Sequence, residues 1–393
     1  MTTGSQEHSP DRTAILEASR KAAPLIRDIA AKIFANPELC YEEKKAVAWL
    51  CEAIEAAGLS VERNLGGLET AFRATIGKGD GPRIAIFAEY DALPEMGHAC
   101  GHNLIAAGAL TAFLSLANAN LDLPGTIELI GTPAEEGGGG KIRLHEAGVF
   151  KGLTAAMMFH PYDRDVVAQT SLASYWLRLH FKGIPAHAAM APWDGKSALA
   201  AALGAMHLVD AQRAQLKDGT RVFGVVVDGG QAVNIIPERA IVDYAVRAPT
   251  IEDLEKTRAL VERCARGAAL ACEVELKIDK RMGYKNMVPN LPLARRFAQH
   301  LESLGRSPAE FDPNLSMGST DMGDISHLIP SIHPLIAICE KGASMCHEHS
   351  FAKHAESEEG FASALIAGQA LALTALDTLR DTTLAASVAA AFG

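Results

Sequence analysis

The stretch RIAIFAEYDALPEMGHACGHNLIAAGAL, residues 83–110, contains the features around which the rest of the chain is organised. Its apolar run at 84–88 predicts a buried strand, because a parallel strand is covered on both faces and needs no alternation of polar and apolar residues. A turn and an alanine- and leucine-rich helix are expected to follow. Groups able to bind metal or move protons lie between strand and helix: Glu89, Asp91, His98, Cys100 and His102. Open α/β sheets place functional sites at such strand ends.

Two later stretches repeat this arrangement. TIELIG (126–131) predicts a strand that leads into Glu135, Glu136 and four glycines. AAMMF (155–159) predicts a strand that ends at His160. Adjacent glutamates are by themselves typical of a solvated surface, but neighbouring side chains at a strand end point in different directions, so one can bind a metal while the other holds a water. Thiolate, imidazole and carboxylate together favour zinc-like divalent metals.

Length and composition exclude several classes of protein. A chain of 393 residues is too long for one ordinary core and indicates about two domains. The net charge of −10 argues against a nucleic-acid-binding surface. We expect no membrane-spanning segment, because the longest apolar stretches are interrupted by polar residues and glycine. The polar start has no signal-peptide core, and seven scattered cysteines form no disulfide framework, so the cytoplasm is the expected location.

The sequence pattern changes after Ser171. YWLRLHF (175–181) alternates polar and apolar residues, as a half-exposed antiparallel strand does. From there the predicted order of elements is β-α-β-β-α-β, the ferredoxin-like arrangement. We therefore predict a mixed, mainly parallel-sheet α/β catalytic domain at 1–172 and 284–393. An α+β domain of the ferredoxin-like type is inserted at 173–283.

Seven short motifs follow one another in an order that resembles a known family. They are NPELCYEE, DALPEMGHACGHN, TPAEEGGGG, FHP, GIPAHAAMAP, NIIPE and GSTDMGDIS. Together they resemble the dinuclear metallohydrolases of the aminoacylase and carboxypeptidase G type. The similarity is greatest to the amidohydrolase branch, which includes auxin-conjugate, hippurate and aminobenzoyl-glutamate hydrolases. The resemblance extends over nearly the whole chain.

The resemblance implies a metal centre. Two divalent ions per chain are expected, with zinc, manganese or cobalt as the candidates. Five residues match the metal ligands of the family: Cys100, His102, Glu136, His160 and His349. Glu135 matches the general base, and Asp91 matches the acid that orients a metal ligand.

The resemblance also implies that the inserted domain is a lid and a dimerisation domain. His187 matches a lid histidine that reaches into the active site of the partner subunit, where it would stabilise the oxyanion. Asn234 matches a substrate-binding residue, and Arg247 is a candidate for holding the substrate carboxylate. A homodimer formed through the lid is therefore expected.

Three positions depart from the pattern of the family. Asn103 stands where many members of the branch have Asp, and Glu89 stands where the classical peptidases have a metal-binding His. The segment CHEHSFAKH offers three histidines for the last ligand. His349 fits the pattern best, with His347 and His354 as alternatives.

The expected activity is hydrolysis of the amide bond in N-acyl or N-aroyl amino acids or dipeptide-like amides. A metal-activated water would attack the carbonyl, with Glu135 as general base. Hydrolytic deamination of a small aromatic amine needs the same activated water and is the alternative reaction. A catalytically silent binding or assembly protein is the alternative from another class, although an intact ligand set and Glu135 argue against it.

Overall fold

The computed structural model describes residues 9–281, 283–315 and 318–392, which form two compact units. The first unit runs to Gln169, resumes at Met287 and resumes again at Asp324. The second unit comprises Thr170–Asn286 and a short return segment that ends at Gly323. The expected boundaries at 172/173 and 283/284 lie within a few residues of these. The return segment was expected in the catalytic domain, but it belongs to the second unit.

The bounds of the regular elements are as follows. The helices are α1 (Pro10–Ala35), α2 (Lys44–Ala56), α3 (His102–Asn118), α4 (Gly140–Glu146), α5 (Ala198–Ala211), α6 (Ile251–Ala271), α7 (Leu291–Ser303), α8 (Met322–Ser326), α9 (His349–Ala355), α10 (Glu358–Arg380) and α11 (Thr382–Ala390). The strands are β1 (Val61–Arg63), β2 (Phe72–Gly77), β3 (Arg83–Ala88), β4 (Thr126–Gly131), β5 (Ala155–Met157), β6 (His160–Tyr162), β7 (Ala173–Lys182), β8 (Arg221–Asp228), β9 (Arg239–Ala248), β10 (Glu275–Arg281), β11 (Ser331–Ile332) and β12 (Leu335–Ala337).

The main sheet of the first unit has the strand order β1-β2-β4-β3-β5-β11. β3 lies between β4 and β5 and is parallel to both, and β5 is parallel to β11. β1 and β2 add two antiparallel pairings at one edge. β3 is buried from its second residue to its last, which explains its lack of alternation. The sheet is mixed and mainly parallel, which confirms the expected fold class.

Two apolar helices complete the core of this unit. α3 packs on β3 and β4 and also contacts α1 and α10, so its residues are buried from His102 to Leu116. Among the described residues, α10 alone is long and apolar enough to cross a membrane. In the apolar part of α10, 78% of the residues are buried inside the protein, as in a core helix. The composition of α10 is therefore weak support for a membrane span.

The second unit contains an antiparallel sheet with the order β10-β7-β9-β8. Helices α5 and α6 pack against each other and against this sheet. The chain order β-α-β-β-α-β with this strand order confirms the ferredoxin-like prediction. β8 forms one edge of the sheet. Three of its alternate side chains are exposed: Phe223 (61%), Val225 (58%) and Val227 (51%).

Candidate metal centre

The connection between β3 and α3 supplies the first part of the site. Asp91 is buried just after β3, and its Oδ1 lies 3.1 Å from Nδ1 of His102, the first residue of α3. The Asp91 carbonyl oxygen lies 2.9 Å from the same nitrogen. Nδ1 therefore carries the proton of the neutral ring, which leaves Nε2 as a ligand atom. Gly101 has a φ of +79°, and a Cβ there would lie 3.0 Å from the Pro161 ring, so this turn requires glycine.

The glutamate pair lies on a turn that two carboxylates from elsewhere in the chain hold in place. Ala134 has a φ of +61°, a conformation that costs a residue with a Cβ about 1 kcal/mol or more. Its N–H donates to Glu43 Oε1 at 2.9 Å. The N–H of Glu136 donates to Asp91 Oδ2, also at 2.9 Å. The backbone is thus fixed on both sides of Glu135, which orients that side chain.

Glu43 should give the stability of the protein a measurable pH dependence. Burial raises the pKa of Glu43 from 4.5 to about 7. The folded state therefore binds more protons than the unfolded state between these values, and the stability contributed by protonated Glu43 is lost as the pH rises through about 7. The Glu43→Gln variant has no carboxylate to deprotonate at this position. The difference in free energy of unfolding between the variant and wild type should therefore grow in favour of the variant between about pH 5 and about pH 8.

Urea unfolding of both proteins at several pH values would measure this difference. The matched control is Glu42→Gln, which changes the exposed neighbouring carboxylate and should give a constant offset. Parallel pH profiles for Glu43→Gln and wild type would show that Glu43 titrates alike in the folded and unfolded states.

The candidate ligands form three overlapping groups, and within each group the ligand atoms lie within 4.8 Å of one another. They are Cys100 with His102 and His160, Cys100 with Glu136 and His347, and His102 with Glu135 and Glu136. Cys100 Sγ lies 3.5 Å from His160 Nε2 and 3.6 Å from His347 Nε2. Cys100 thus belongs to two of the three groups.

The protonation states of these groups follow from burial and from their neighbours. Burial lowers the pKa of His160 to about 4, so this imidazole is neutral at neutral pH. Burial alone would raise the pKa of Glu136, but the contact with His347 and the neighbouring His102 together outweigh it and hold that pKa below its ordinary value. Contact with Cys346, and then burial, raise the pKa of the Cys100 thiol well above its ordinary value. A cation is therefore needed to make Cys100 a thiolate.

The cluster fits a bound metal. Two of its buried atoms, His102 Nε2 and Glu136 Oε1, have no hydrogen-bond partner among the described residues. Leaving such atoms unsatisfied ordinarily costs about 1–3 kcal/mol each. A divalent cation among the groups would satisfy both. The nitrogen and sulfur donors suit zinc or cobalt, and the carboxylates also suit manganese.

The structure brings His347, rather than the expected His349, into the cluster of candidate ligands. His349 is the first residue of α9 and belongs to none of the three groups. His347 lies in the preceding turn with a φ of +70°, and its N–H donates to the carbonyl of Ala99 at 2.9 Å. This backbone geometry brings His347 Nε2 to 3.4 Å from Glu136 Oε1.

Metal analysis can separate the two histidines. His347→Ala should lower the metal content of the purified protein, because Cys100 and Glu136 lose their third partner. His349→Ala should keep the wild-type content, and His354→Ala serves as a second control from the same segment. Elemental analysis by mass spectrometry after dialysis would measure the ratio of metal to protein. Loss of metal from His349→Ala alone would make His349 the ligand instead.

Three further side chains near the site behave differently from what their sequence context indicates. Lys141 is fully buried in an ion pair with Glu89, whereas its position suggests an ordinary residue of a short helix. Asn103 donates to the carbonyl of Ala355 at 2.9 Å and supports α3 rather than His102. The Cys40 thiol lies 3.4 Å from the carbonyl oxygen of Glu136, although isolated cysteines are usually small core residues.

The residues expected to contact substrate lie in the second unit. The exposed His187 accepts hydrogen bonds at Nδ1 from the N–H groups of Ala189 and Met190, both at 3.2 Å, so its Nε2 carries the proton and can donate. Ala188 N–H donates to the carbonyl of Asn234 at 3.0 Å, which places the segments of His187 and Asn234 side by side.

The third expected substrate residue, Arg247, lies on β9. Its guanidinium lies 4.7 Å from the centre of the Trp176 ring and donates to Ser319 Oγ in the return segment. Burial lowers the pKa of Arg247, but an arginine remains charged at neutral pH. The stacking and the hydrogen bond fix the guanidinium plane and leave other N–H groups for a carboxylate.

An α/β domain with cysteine, histidine and glutamate clustered beyond its parallel strands, joined to a ferredoxin-like domain, defines a class of metal-dependent hydrolase. Residues 85–367 match the family described as peptidase family M20/M25/M40. The chain is 37% identical over 377 residues to the Xaa-Arg dipeptidase of Mus musculus, covering 91% of this chain and 86% of the relative. The chain therefore belongs to peptidase family M20/M25/M40 and is a hydrolase.

Two further proteins resemble this chain at lower sequence identity. One component of the p-aminobenzoyl-glutamate hydrolase of Escherichia coli K12 is 34% identical over 301 residues, which cover 71% of this chain and 62% of the relative. The fold is also that of the YxeP protein of Bacillus subtilis, a dinuclear metal-binding peptidase of the M20 family. The TM-score is 0.72 and the identity 21%, and the similarity covers 91% of this chain and 99% of that one.

Proposed function

We propose that this enzyme hydrolyses the amide bond of dipeptides or N-acyl and N-aroyl amino acids that carry a free α-carboxylate. The observation that supports this most directly is that Cys100 belongs to two groups of candidate ligands, one with His102 and His160 and one with Glu136 and His347. Two ligand sets that share one thiolate are suited to two divalent ions. The buried Glu135 is beside them, within 3.9 Å of His102 Nε2.

Zinc, manganese or cobalt would be held by Cys100, His102, His160, Glu136 and His347. When bound, such ions supply a water of lowered pKa and polarise the carbonyl of the substrate. Asp91 fixes His102 through Nδ1, so the imidazole presents Nε2 to the ion. The requirement for a cation follows from the Cys100 thiol, which burial and its neighbours keep protonated otherwise.

Glu135 carries the proton transfers in this proposal. Its carboxylate accepts a proton from the attacking water and then delivers it to the nitrogen of the leaving amine. The hydrogen bonds that fix Ala134 and Glu136 hold Glu135 at this place in the turn. Glu136 is a metal ligand rather than the base in this proposal, because its Oε1 also lies 3.4 Å from His347 Nε2.

The lid residues would position the substrate and stabilise the developing negative charge. His187 Nε2–H is the donor for the oxyanion, Asn234 binds the substrate beside it, and Arg247 binds the α-carboxylate. The names of the relatives support this substrate class, because Xaa-Arg dipeptides and aminobenzoyl-glutamate are amides with a free carboxylate on the amine side. A carboxylate at Arg247 would also explain why its guanidinium is held by Trp176.

We further propose a cytoplasmic homodimer formed through the second unit. Among the described strands, β8 pairs with β9 alone, and its side chains Phe223, Val225 and Val227 are exposed and apolar. An exposed, apolar edge strand is a template for pairing with another strand. Antiparallel pairing of β8 with its copy in a second chain would continue the sheet and cover these side chains.

A hydrolysis panel tests the proposed activity. The purified protein, loaded in turn with zinc, manganese and cobalt, is given dipeptides, N-acetyl and N-benzoyl amino acids, and aminobenzoyl-glutamate, together with the amide of each acid. We expect cleavage of the free acids and at least about tenfold weaker cleavage of the amides, because a bidentate carboxylate contact is lost. Release of ammonia from aromatic amines, or no turnover of the panel, would contradict the proposal.

A further inference from the structure

A buried ion pair that the proposed reaction does not use lies directly beside the metal centre. Glu89 follows β3 and Lys141 is the second residue of α4, and both side chains have 0% exposure. The Lys141 ammonium donates to Glu89 Oε1. Fully buried lysine and glutamate side chains are rare in proteins, and a buried ion pair does not by itself stabilise a fold. The pair therefore calls for a role other than stability.

The second carboxylate oxygen of Glu89 is directed toward the proposed cation position. Glu89 Oε2 lies 3.6 Å from His102 Nε2. Both atoms are buried and have no hydrogen-bond partner among the described residues. An ion bound at His102 Nε2 would place positive charge next to this oxygen, which would satisfy it electrostatically.

Glu89 nevertheless differs from the five ligands. The three groups of mutually close ligand atoms in the described part of the chain do not include it. Its Oε1 is already held by Lys141. This arrangement is that of an outer carboxylate, which acts on the metal through charge rather than through a bond.

The formal charges of the centre lead to the same conclusion. With Cys100 as thiolate, the negative groups of the centre are Cys100 and four carboxylates: Glu89, Asp91, Glu135 and Glu136. Two divalent ions neutralise four of these five charges, and Lys141 neutralises the fifth. At the low effective dielectric constant of a buried site, a single uncompensated charge has a large effect on the binding of a dication.

We propose that the buried Glu89–Lys141 pair sets the metal affinity of the centre, with Glu89 as an outer carboxylate and Lys141 as its fixed counter-charge. Both are positioning residues and neither contacts substrate. The inference rests on the proposed function, since it assumes a divalent ion at His102. Its signature is that the two halves of the pair affect metal binding in opposite directions.

Chelator competition on the purified, zinc-loaded protein tests this directly. Glu89→Gln leaves the Lys141 charge uncompensated beside the ion and should weaken zinc binding by about tenfold or more. Lys141→Met removes the positive charge and should bind zinc at least as tightly as wild type. The double variant Glu89→Gln/Lys141→Met restores the balance and should recover most of the affinity lost in Glu89→Gln. The absorption spectrum of the cobalt form reports whether the inner ligands have changed.

A matched control comes from the same sheet. Glu128 on β4 is also buried in an ion pair, with Nε of Arg83 at 2.8 Å, so Glu128→Gln removes a buried carboxylate charge from the same sheet. It should leave zinc affinity unchanged. If Lys141→Met does not fold, circular dichroism will show it, and the comparison of Glu89→Gln with the double variant still decides the question.

Two results would overturn this inference and leave the proposed function intact. Zinc affinity equal to wild type in Glu89→Gln would show that the pair has no effect on the ion. A double variant as weak as Glu89→Gln, with an altered cobalt spectrum, would make Glu89 a ligand in its own right. A wild-type protein that holds no metal would instead overturn the proposed function, and that outcome is distinguishable because it appears before any variant is made.

Discussion

Glu135→Gln should retain its metal and lose about 10²-fold or more of the turnover rate. The substitution keeps the size of the side chain and removes its ability to accept a proton. In the structure Glu135 is buried, and its backbone is fixed by the hydrogen bonds of its neighbours with Glu43 and Asp91. The variant should therefore fold normally and bind substrate with little change in KM, while kcat decreases.

The adjacent Glu136 provides the contrasting variant. Glu136 Oε1 lies 3.9 Å from His102 Nε2 and 3.4 Å from His347 Nε2, which places it among the ligands. Glu136→Gln should therefore lose metal, and its activity should be partly restored by a large excess of metal. Metal content and kcat measured side by side on the two variants decide between the roles. Metal loss from Glu135→Gln with full occupancy in Glu136→Gln would reverse them.

The sequence predicts the parts of this molecule that depend on local patterns. The apolar runs at β3, β4 and β5 predict buried strands, and parallel strands bring their carboxyl ends to one edge of a sheet. This relation alone predicts that residues as distant along the chain as Cys100 and His160 lie together. The alternating strands of the second unit likewise predict its ferredoxin-like order. In both cases the pattern of apolar residues along the chain is enough to predict the strands.

The contacts that the sequence did not predict depend on backbone geometry outside regular elements. His347, His349 and His354 are chemically identical, and the positive φ of His347 together with the start of α9 at His349 decides which one faces Glu136. The burial of Lys141 could not be predicted from the residues next to it in the sequence, because its partner Glu89 is 52 residues away. The short pairing of β6 with β12, which begins at His160, has too few residues for a recognisable pattern.

The same difference in predictability separates the two halves of the proposed site. The metal ligands and Glu135 all belong to the first unit, where sheet topology brings them together. His187, Asn234 and Arg247 belong to the second unit, and their proposed roles assume that this unit is a lid and that a second chain completes the site. A test of the lid must therefore detect cooperation between chains.

His187→Ala should fold, dimerise and bind metal as wild type does, yet lose roughly 3 kcal/mol of transition-state stabilisation, about 10²-fold in kcat. The reason lies in its tautomer. Nδ1 accepts the N–H groups of Ala189 and Met190, so Nε2–H is available to an oxyanion. The matched control is His180→Ala in the same unit, because His180 is paired with Asp279 at 2.9 Å and has no expected role in the reaction.

If His187 acts in the site of the partner subunit, two inactive variants should complement each other. Glu135→Gln supplies an intact His187, and His187→Ala supplies an intact Glu135. After subunit exchange of equal amounts, half of the dimers are mixed and each has one complete site, so activity should return to about a quarter of wild type. Tagging one variant and recovering mixed dimers by affinity purification would verify the exchange. Mixed dimers that remain inactive would show that His187 acts within its own chain.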